Sequence, residues 1–237
     1  LQSVERNEKL AAEERSEHKP LGFVAVAAGS GMAKILESLG VDVVVSGGQT
    51  MNPSTKDLLD AVERVNADAV IILPNNSNII MAAQSAAGLS EVPCAVVPTK
   101  SVPQAFSALF SADETASLEE NVENMTSAFA DTKTGEVTTA IKDSKDAHDN
   151  PIHNGDVIGI ADGSIEAVGS SVEDVVMSLL DTMEAEDADT LTLLAGEDFS
   201  DEQLDALVER IESRFDELEV DAHRGEQPLY PIVFSVE

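Results

Sequence analysis

From residue 21 onward one pattern recurs: a short apolar run, a loop of small and amide residues, then a stretch whose apolar side chains fall at helical spacing. The runs at residues 22–27 (GFVAVA), 41–45 (VDVVV), 69–73 (AVIIL) and 94–97 (CAVV) read as buried strands, because continuous Val, Ile and Ala suit a sheet covered on both faces. Between them Met32, Ile35, Leu36 and Leu39 mark one helix, Leu58, Leu59, Val62 and Val65 a second, and Ile79, Ile80, Ala83 and Ala87 a third. Three strand-helix-strand units in succession leave few topologies. The expected one is a parallel, doubly wound sheet with right-handed crossovers and helices on both faces. Ser54 with Asp57, just after Pro53, has the pattern of a capping box at the second helix.

The pattern changes near Asp113. Ser117 and Glu120 open a helix carrying Leu118, Val122, Met125 and Phe129, and residues 136–142 and 156–160 then read as shorter alternating strands. Asp162-Gly163 predicts a turn into residues 164–168, so 156–160 and 164–168 should pair as a hairpin. Capped helices follow at 171–183 and 200–218, with strands at 190–194, 219–223 and 230–236. The expected fold class is α/β in two subdomains, a parallel doubly wound sheet over residues 20–113 and a mixed α+β layer over 114–237. Residues 1–19 are polar and helix-prone, begin with Leu rather than Met, and end at Pro20. They read as a linker helix in a piece cut from a longer chain.

Apolar residues make up 43% of the chain, enough for a core, but Trp is absent and Tyr230 is the sole tyrosine. Packing must therefore rely on Ala, Val, Ile and Leu. Charge excludes more: 14 Lys and Arg against 45 Asp and Glu give −31. Such a field repels phosphate backbones and anionic headgroups, which disfavours nucleic acid and membrane surfaces and favours a basic protein partner. No apolar run approaches the roughly 20 residues of a membrane-spanning helix, no signal-peptide pattern opens the chain, and the single Cys94 cannot form an internal disulfide. A reducing cytoplasm fits. Residues 1–113 carry −5 and residues 114–237 carry −26, so the two subdomains should present different surfaces.

In a parallel sheet, loops leaving the carboxyl ends of strands share one edge, and ligands of such folds bind there. Four loops qualify: Gly29-Ser30-Gly31; the stretch with Gly47, Gly48, Gln49, Thr50, Asn52 and Ser54; Asn75, Asn76 and Asn78; and Thr99-Lys100-Ser101. Their amides, hydroxyls and backbone N–H groups could hold a carboxylate, phosphate or carbonyl oxygen, with Lys100 as the one positive charge. Equally, Gly, Asn, Ser and Pro make turns and caps in any such fold.

Other motifs say less. Gly29-x-Gly31 imitates a dinucleotide fingerprint, but Lys34 stands where the third glycine belongs, and no phosphate-binding G-x-x-x-x-G-K-[ST] segment exists. Asp198, Asp201, Glu202 and Asp205 suit a helix start better than a metal site. His148 and His153 flank a polar Asp149-Asn150-Pro151 turn and lack zinc partners. Cys94 reads as a small packed residue. No catalytic constellation and no metal site is expected.

The segments GFVAVAAGSGM, SGGQTMNPST, ILPNNSNI, VPTKSVPQ and GEQPLYPIVFSVE, in this order, resemble the C-terminal region of the ATP-binding subunit of bacterial fatty acid kinase, a dihydroxyacetone-kinase-like or DAK-phosphatase-like family. The resemblance runs from about Pro20 to Glu237. It implies a fold like DegV proteins and the substrate subunit of dihydroxyacetone kinase. It also implies an absent N-terminal kinase domain that holds Mg-ATP, no cofactor in this segment, and a DegV-like fatty-acid-binding partner whose bound acid is phosphorylated on its carboxylate. On that reading the segment docks the partner, engages its own kinase domain, or assembles a homodimer. The alternative is a small-ligand domain with an anion or carbonyl site at the sheet's carboxyl edge and residual phosphotransfer or phosphatase activity. A covalent dihydroxyacetone site would need a histidine in the crevice, and His148, His153 and His223 lie outside its four loops.

Overall fold

The computed structural model describes residues 18–47 and 52–237. The linker expected over residues 1–19 therefore lies almost wholly outside the described residues, and its last member, Lys19, opens the first strand. Among the described residues, β1 (Lys19–Ala27), β2 (Val43–Ser46), β3 (Ala67–Leu73) and β4 (Cys94–Val96) form a parallel sheet in the order β2-β1-β3-β4. Pro20 is accommodated inside β1 because β2 pairs only from Val24 onward, so the proline adjoins an unpaired stretch of edge. Strand β2 starts two residues later than expected. The Asp42 carboxylate just before it accepts the Phe23 N–H at 2.8 Å and pairs with Lys19, replacing a ladder bond.

The crossovers are α1 (Ser30–Ser38), α2 (Thr55–Arg64) and α3 (Ile80–Leu89), followed by α4 (Val102–Phe110) and α5 (Leu118–Ala128). Ser54 and Asp57 do form a reciprocal capping box on α2. Alternation within β1 and β3 sorts their side chains by face. Val24, Val26, Val70 and Ile72 meet Leu58, Val62 and Ala83 of α2 and α3, while Phe23, Ala25, Ile71 and Leu73 meet Leu36, Ala105 and Phe106 of α1 and α4.

The second sheet has the order β11-β10-β12-β5-β8-β9, built from β5 (Lys133–Thr139), β8 (Val157–Ala161), β9 (Ser164–Gly169), β10 (Thr190–Ala195), β11 (Glu219–Arg224) and β12 (Ile232–Val236). Only β10 and β11 pair in parallel; the other neighbours are antiparallel. The expected β8–β9 hairpin is present, turning at Asp162 and Gly163, both at positive φ. Helices α6 (Val172–Thr182) and α7 (Asp201–Arg214) cover one face through Leu179, Leu204 and Leu207. The other face turns toward the first sheet: Leu194 and Val233 join the cluster around α1 and α4. The layers thus run helix, parallel sheet, helix, mixed sheet, helix.

Several other sequence boundaries move, among them the end of the helix expected over 200–218, which stops at Arg214. Strand β5 lies three residues earlier than 136–142, because Thr134, Glu136 and Thr138 alternate toward the first sheet while Ile141 is left exposed. Strand β12 starts at Ile232 rather than Tyr230, since Pro231 has no N–H and Leu229 is left-handed. The turn around Asp149 sits between two-residue strands, β6 (Ser144–Lys145) and β7 (Pro151–Ile152), which pair with each other. There His148 Nε2 lies 2.9 Å from Glu166 and the His153 N–H donates to Asp156.

Candidate functional site

At the carboxyl edge of the parallel sheet the loops after β1, β2, β3 and β4 meet a strap from the second half, residues 225–231. A cavity of about 210 Å³ lies between them. Of the residues singled out from sequence, Gly47, Asn52, Asn75, Asn76 and Ser101 line it. Gly48, Gln49 and Thr50 lie outside the described residues.

The remaining candidates have other work. Ser54 caps α2, and Asn78 donates its N–H to Asn76 Oδ1 in a single 3₁₀ turn. Ser30 is exposed. Lys100 is exposed too, and only its backbone is tied, to Gln104 Oε1 at 2.8 Å. Thr99 is fully buried and closes a lock with Asn75. Its hydroxyl donates to Asn75 Oδ1 at 2.7 Å and accepts the Asn75 N–H at 3.1 Å, while Asn75 Nδ2 donates to the Val26 carbonyl at 2.9 Å. That lock joins the ends of β1, β3 and β4, and it needs Asn75 at φ 57°, a region amide side chains tolerate. Ser101 caps α4 and reaches Thr134 Oγ1 on β5 at 2.9 Å, a buried bridge between the sheets.

Gly29 and Gly31 have a different purpose from the one their spacing suggested. A Cβ on Gly31 would lie 1.9 Å from the Arg224 carbonyl oxygen, and one on Gly29 would lie 2.1 Å from that of Gly225. The Gly225 carbonyl also accepts the Met32 N–H at 3.0 Å, so one N–H of the first turn of α1 is already satisfied by the strap. These glycines allow two backbones to touch. Arg224 fixes the strap through the carbonyls of Phe199 at 2.8 Å and Gly196 at 2.7 Å, and through Asp201 at 2.9 Å and Glu226.

The chemistry of the cavity comes from residues the loops did not point to. Glu136, on β5 beside Val233, faces the cavity with no hydrogen-bond or ion-pair partner among the described residues. Burial raises its carboxyl above the usual glutamate range. Tyr230 lines the same wall, its hydroxyl pushed up first by burial and then by the Glu136 charge. Gln227 is 3% exposed; its Nε2 donates to the carbonyls of Leu194 at 2.8 Å and Tyr230 at 3.1 Å, and its Oε1 has no donor. The strap entered the sequence reading only within the family-like segment GEQPLYPIVFSVE, with no site residue assigned to it, and nothing in β5 distinguished Glu136 from a solvent-facing carboxylate.

The unpartnered glutamate gives a direct prediction. A carboxyl whose folded pKa is raised stabilises the fold below the ordinary glutamate range, and that stability is lost as pH rises through the folded value. Glu136→Gln should therefore raise the melting temperature at neutral pH, with the gain closing as pH falls to about 4. Thermal unfolding across that range reads it. A lower melting temperature at neutral pH would contradict the assignment.

Elsewhere the chemistry is quiet. Among the described residues no group of three or more His, Cys, Asp or Glu could hold a metal ion, and no helix is long and apolar enough to cross a membrane. Burial pushes the Cys94 thiol up to about 11, which keeps it protonated and unreactive near neutral pH.

Comparison with solved structures supports the layered fold. A DegV family protein from Corynebacterium glutamicum superposes with a TM-score of 0.64 at 14% identity, covering 92% of this chain and 97% of that one. A Thermotoga maritima protein described as having a fatty acid binding function gives 0.63 at 12%, over 93% and 99%. The Streptococcus pneumoniae fatty acid kinase B3 protein, solved with linoleic acid, gives 0.58 at 12%, over 92% and 99%. At such identities the likeness is one of fold. Sequence relatives are nearer: protein YloV of Bacillus subtilis is 44% identical over 92% of this chain, and a Staphylococcus haemolyticus protein is 40% identical over 99%. The chain spans only 39% and 43% of those two proteins' lengths. The model of the FakA-like C-terminal family, the C-terminal region of fatty acid kinase A-like subunits, matches residues 22–237, and the chain belongs to that family.

Proposed function

We propose that this chain is the C-terminal part of the A-type subunit of a cytoplasmic fatty acid kinase and that it docks a DegV-like protein carrying the fatty acid. Phosphotransfer belongs, on this reading, to an N-terminal dihydroxyacetone-kinase-like domain holding Mg-ATP, and this segment contributes partner engagement or homodimer assembly. The observation that carries the reading is the family match over residues 22–237. Charge supports it: residues 114–237 hold −26 of the chain's −31, and on α7 the exposed Glu202, Asp205, Glu209 and Glu212 make no ion pair among the described residues. Asp201, on the same helix, is engaged by Arg224 and so is not free to guide a partner.

Surface-plasmon kinetics with the fatty-acid-loaded DegV-like protein of the same organism is the test. Complementary charge should make association roughly tenfold slower between low and physiological salt. Replacing Glu202, Asp205, Glu209 and Glu212 by Gln or Asn should slow it several-fold, with stability changed by no more than about 0.5 kcal/mol per site. Salt-independent binding would move the contact to the less charged first half, and absence of binding would overturn docking.

A further inference from the structure

We propose that the cavity between the two sheets, carrying the Glu136 carboxylate and walled on one side by the 225–231 strap, binds a small molecule with a primary ammonium head on a short apolar body. This goes beyond docking and does not depend on it. The first observation is polarity. Glu136 is the one formal charge among the described lining residues, and it lacks a partner among the described residues. Three of the polar groups that could have answered an anion are already engaged, the Thr99 hydroxyl on Asn75, the Asn75 amide on Val26 and the Gln227 amide on two carbonyls, while the Tyr230 hydroxyl sits in the field of the Glu136 charge that would repel an anion. Asn52 and Asn76 offer amides of both polarities and do not discriminate. What remains unmatched is a carboxylate, and its complement is a cationic donor.

The second observation is the backbone. Two of the non-glycine residues at positive φ line this one cavity: Asn75 at 57° and Leu229 at 64°. Leucine gains nothing from that conformation, and its peptide is held there by the Thr138 hydroxyl donating to the Leu229 carbonyl at 2.7 Å. Strain of this kind concentrates where a fold pre-shapes a site. The third observation is size. At about 210 Å³ the cavity holds roughly seven times the ~30 Å³ of a liquid water molecule, and Met32, Val102, Leu229 and Val233 give it apolar walls. A carboxylate-headed lipid, by contrast, would bring its charge against Glu136, and like charges repel.

The test uses three probes of one shape, butylammonium, 1-butanol and butyrate, titrated into the full chain and followed by amide chemical shifts. Butylammonium should give saturable shifts at Gly47, Asn75, Ser101 and Gln227, 1-butanol weaker ones, and butyrate none. Glu136→Gln should weaken butylammonium roughly 10- to 100-fold, the size of a lost charge-assisted hydrogen bond, while leaving 1-butanol unchanged. Ala28→Phe, at an exposed lining position, keeps the charge but fills space, and should abolish binding of both. Stronger shifts from butyrate would overturn the proposal. So would butylammonium shifts spread over α7 instead of the cavity, or binding indifferent to Glu136→Gln in a variant with a native spectrum. Partner association, measured separately, fails or succeeds without bearing on these readings.

Discussion

Gly31→Ala is expected to lower the melting temperature by roughly 6–12 °C. The added methyl would lie 1.9 Å from the Arg224 carbonyl oxygen, and the obstacle is backbone, fixed by three side-chain contacts of Arg224 and by the β10–β11 ladder. Overpacking against an element that cannot swing aside costs about 3 kcal/mol, at the upper end of the usual range, and in a chain of this size each kcal/mol shifts the midpoint by about 2–4 °C. The expected relief is a separation of α1 from the strap, losing the Met32 N–H to Gly225 bond. Cavity-residue amides should therefore shift together with the loss of stability. Gly88 provides the control: it is inside α3, and a methyl added there would meet nothing within 4 Å. Its replacement by alanine should stabilise by about 0.5–1 kcal/mol. An unchanged midpoint for Gly31→Ala would mean that the two halves are not in contact here.

Phe234→Ala is expected to cost about 3–5 kcal/mol, the range for emptying a buried aromatic site. Phe234 is fully buried on β12, among α6, α7 and the second sheet, and its ring lies where a Cβ of Gly135 on the neighbouring strand would be, 2.2 Å from Cζ. Gly135→Ala alone should also destabilise, since the ring has no exposed space to enter. The two are coupled, so the double variant should lose less than the sum of the single losses, the new methyl partly filling the cavity. Denaturant unfolding of all four proteins measures this, and strict additivity would refute the contact. Because Glu136 follows Gly135 on β5 and pairs across to Val233, Phe234→Ala should also disturb the cavity wall.

The parallel sheet was legible in the sequence because local chemistry and tertiary outcome agree there. Val24, Val26, Ile71 and Ile72 are apolar in unbroken runs since both faces of β1 and β3 are covered, and the Ser54 cap is specified within four residues of chain. The β8–β9 hairpin was legible for the same reason: Asp162-Gly163 supplies the positive φ its turn requires. The positions of the candidate loops followed from strand polarity alone, since all carboxyl ends of parallel strands share an edge.

What the residues at that edge do was decided by packing. Gly29 and Gly31 carry the spacing of a phosphate-binding turn, yet they serve a close approach to Arg224 and Gly225, nearly two hundred residues away in sequence. Asn75 and Thr99 carry the chemistry of ligand contacts, yet their polar atoms bind each other and Val26. Glu136 carries the pattern of a surface residue, an acidic side chain in a polar strand, yet the first sheet covers it. Periodicity determines which face of an element is apolar, because the side-chain repeat is fixed by backbone geometry. It says nothing of which distant segment will cover a given face. Only the folding of the second sheet onto α1 and α4 turned a polar position on β5 into a half-buried carboxyl in a cavity wall, unpaired among the described residues.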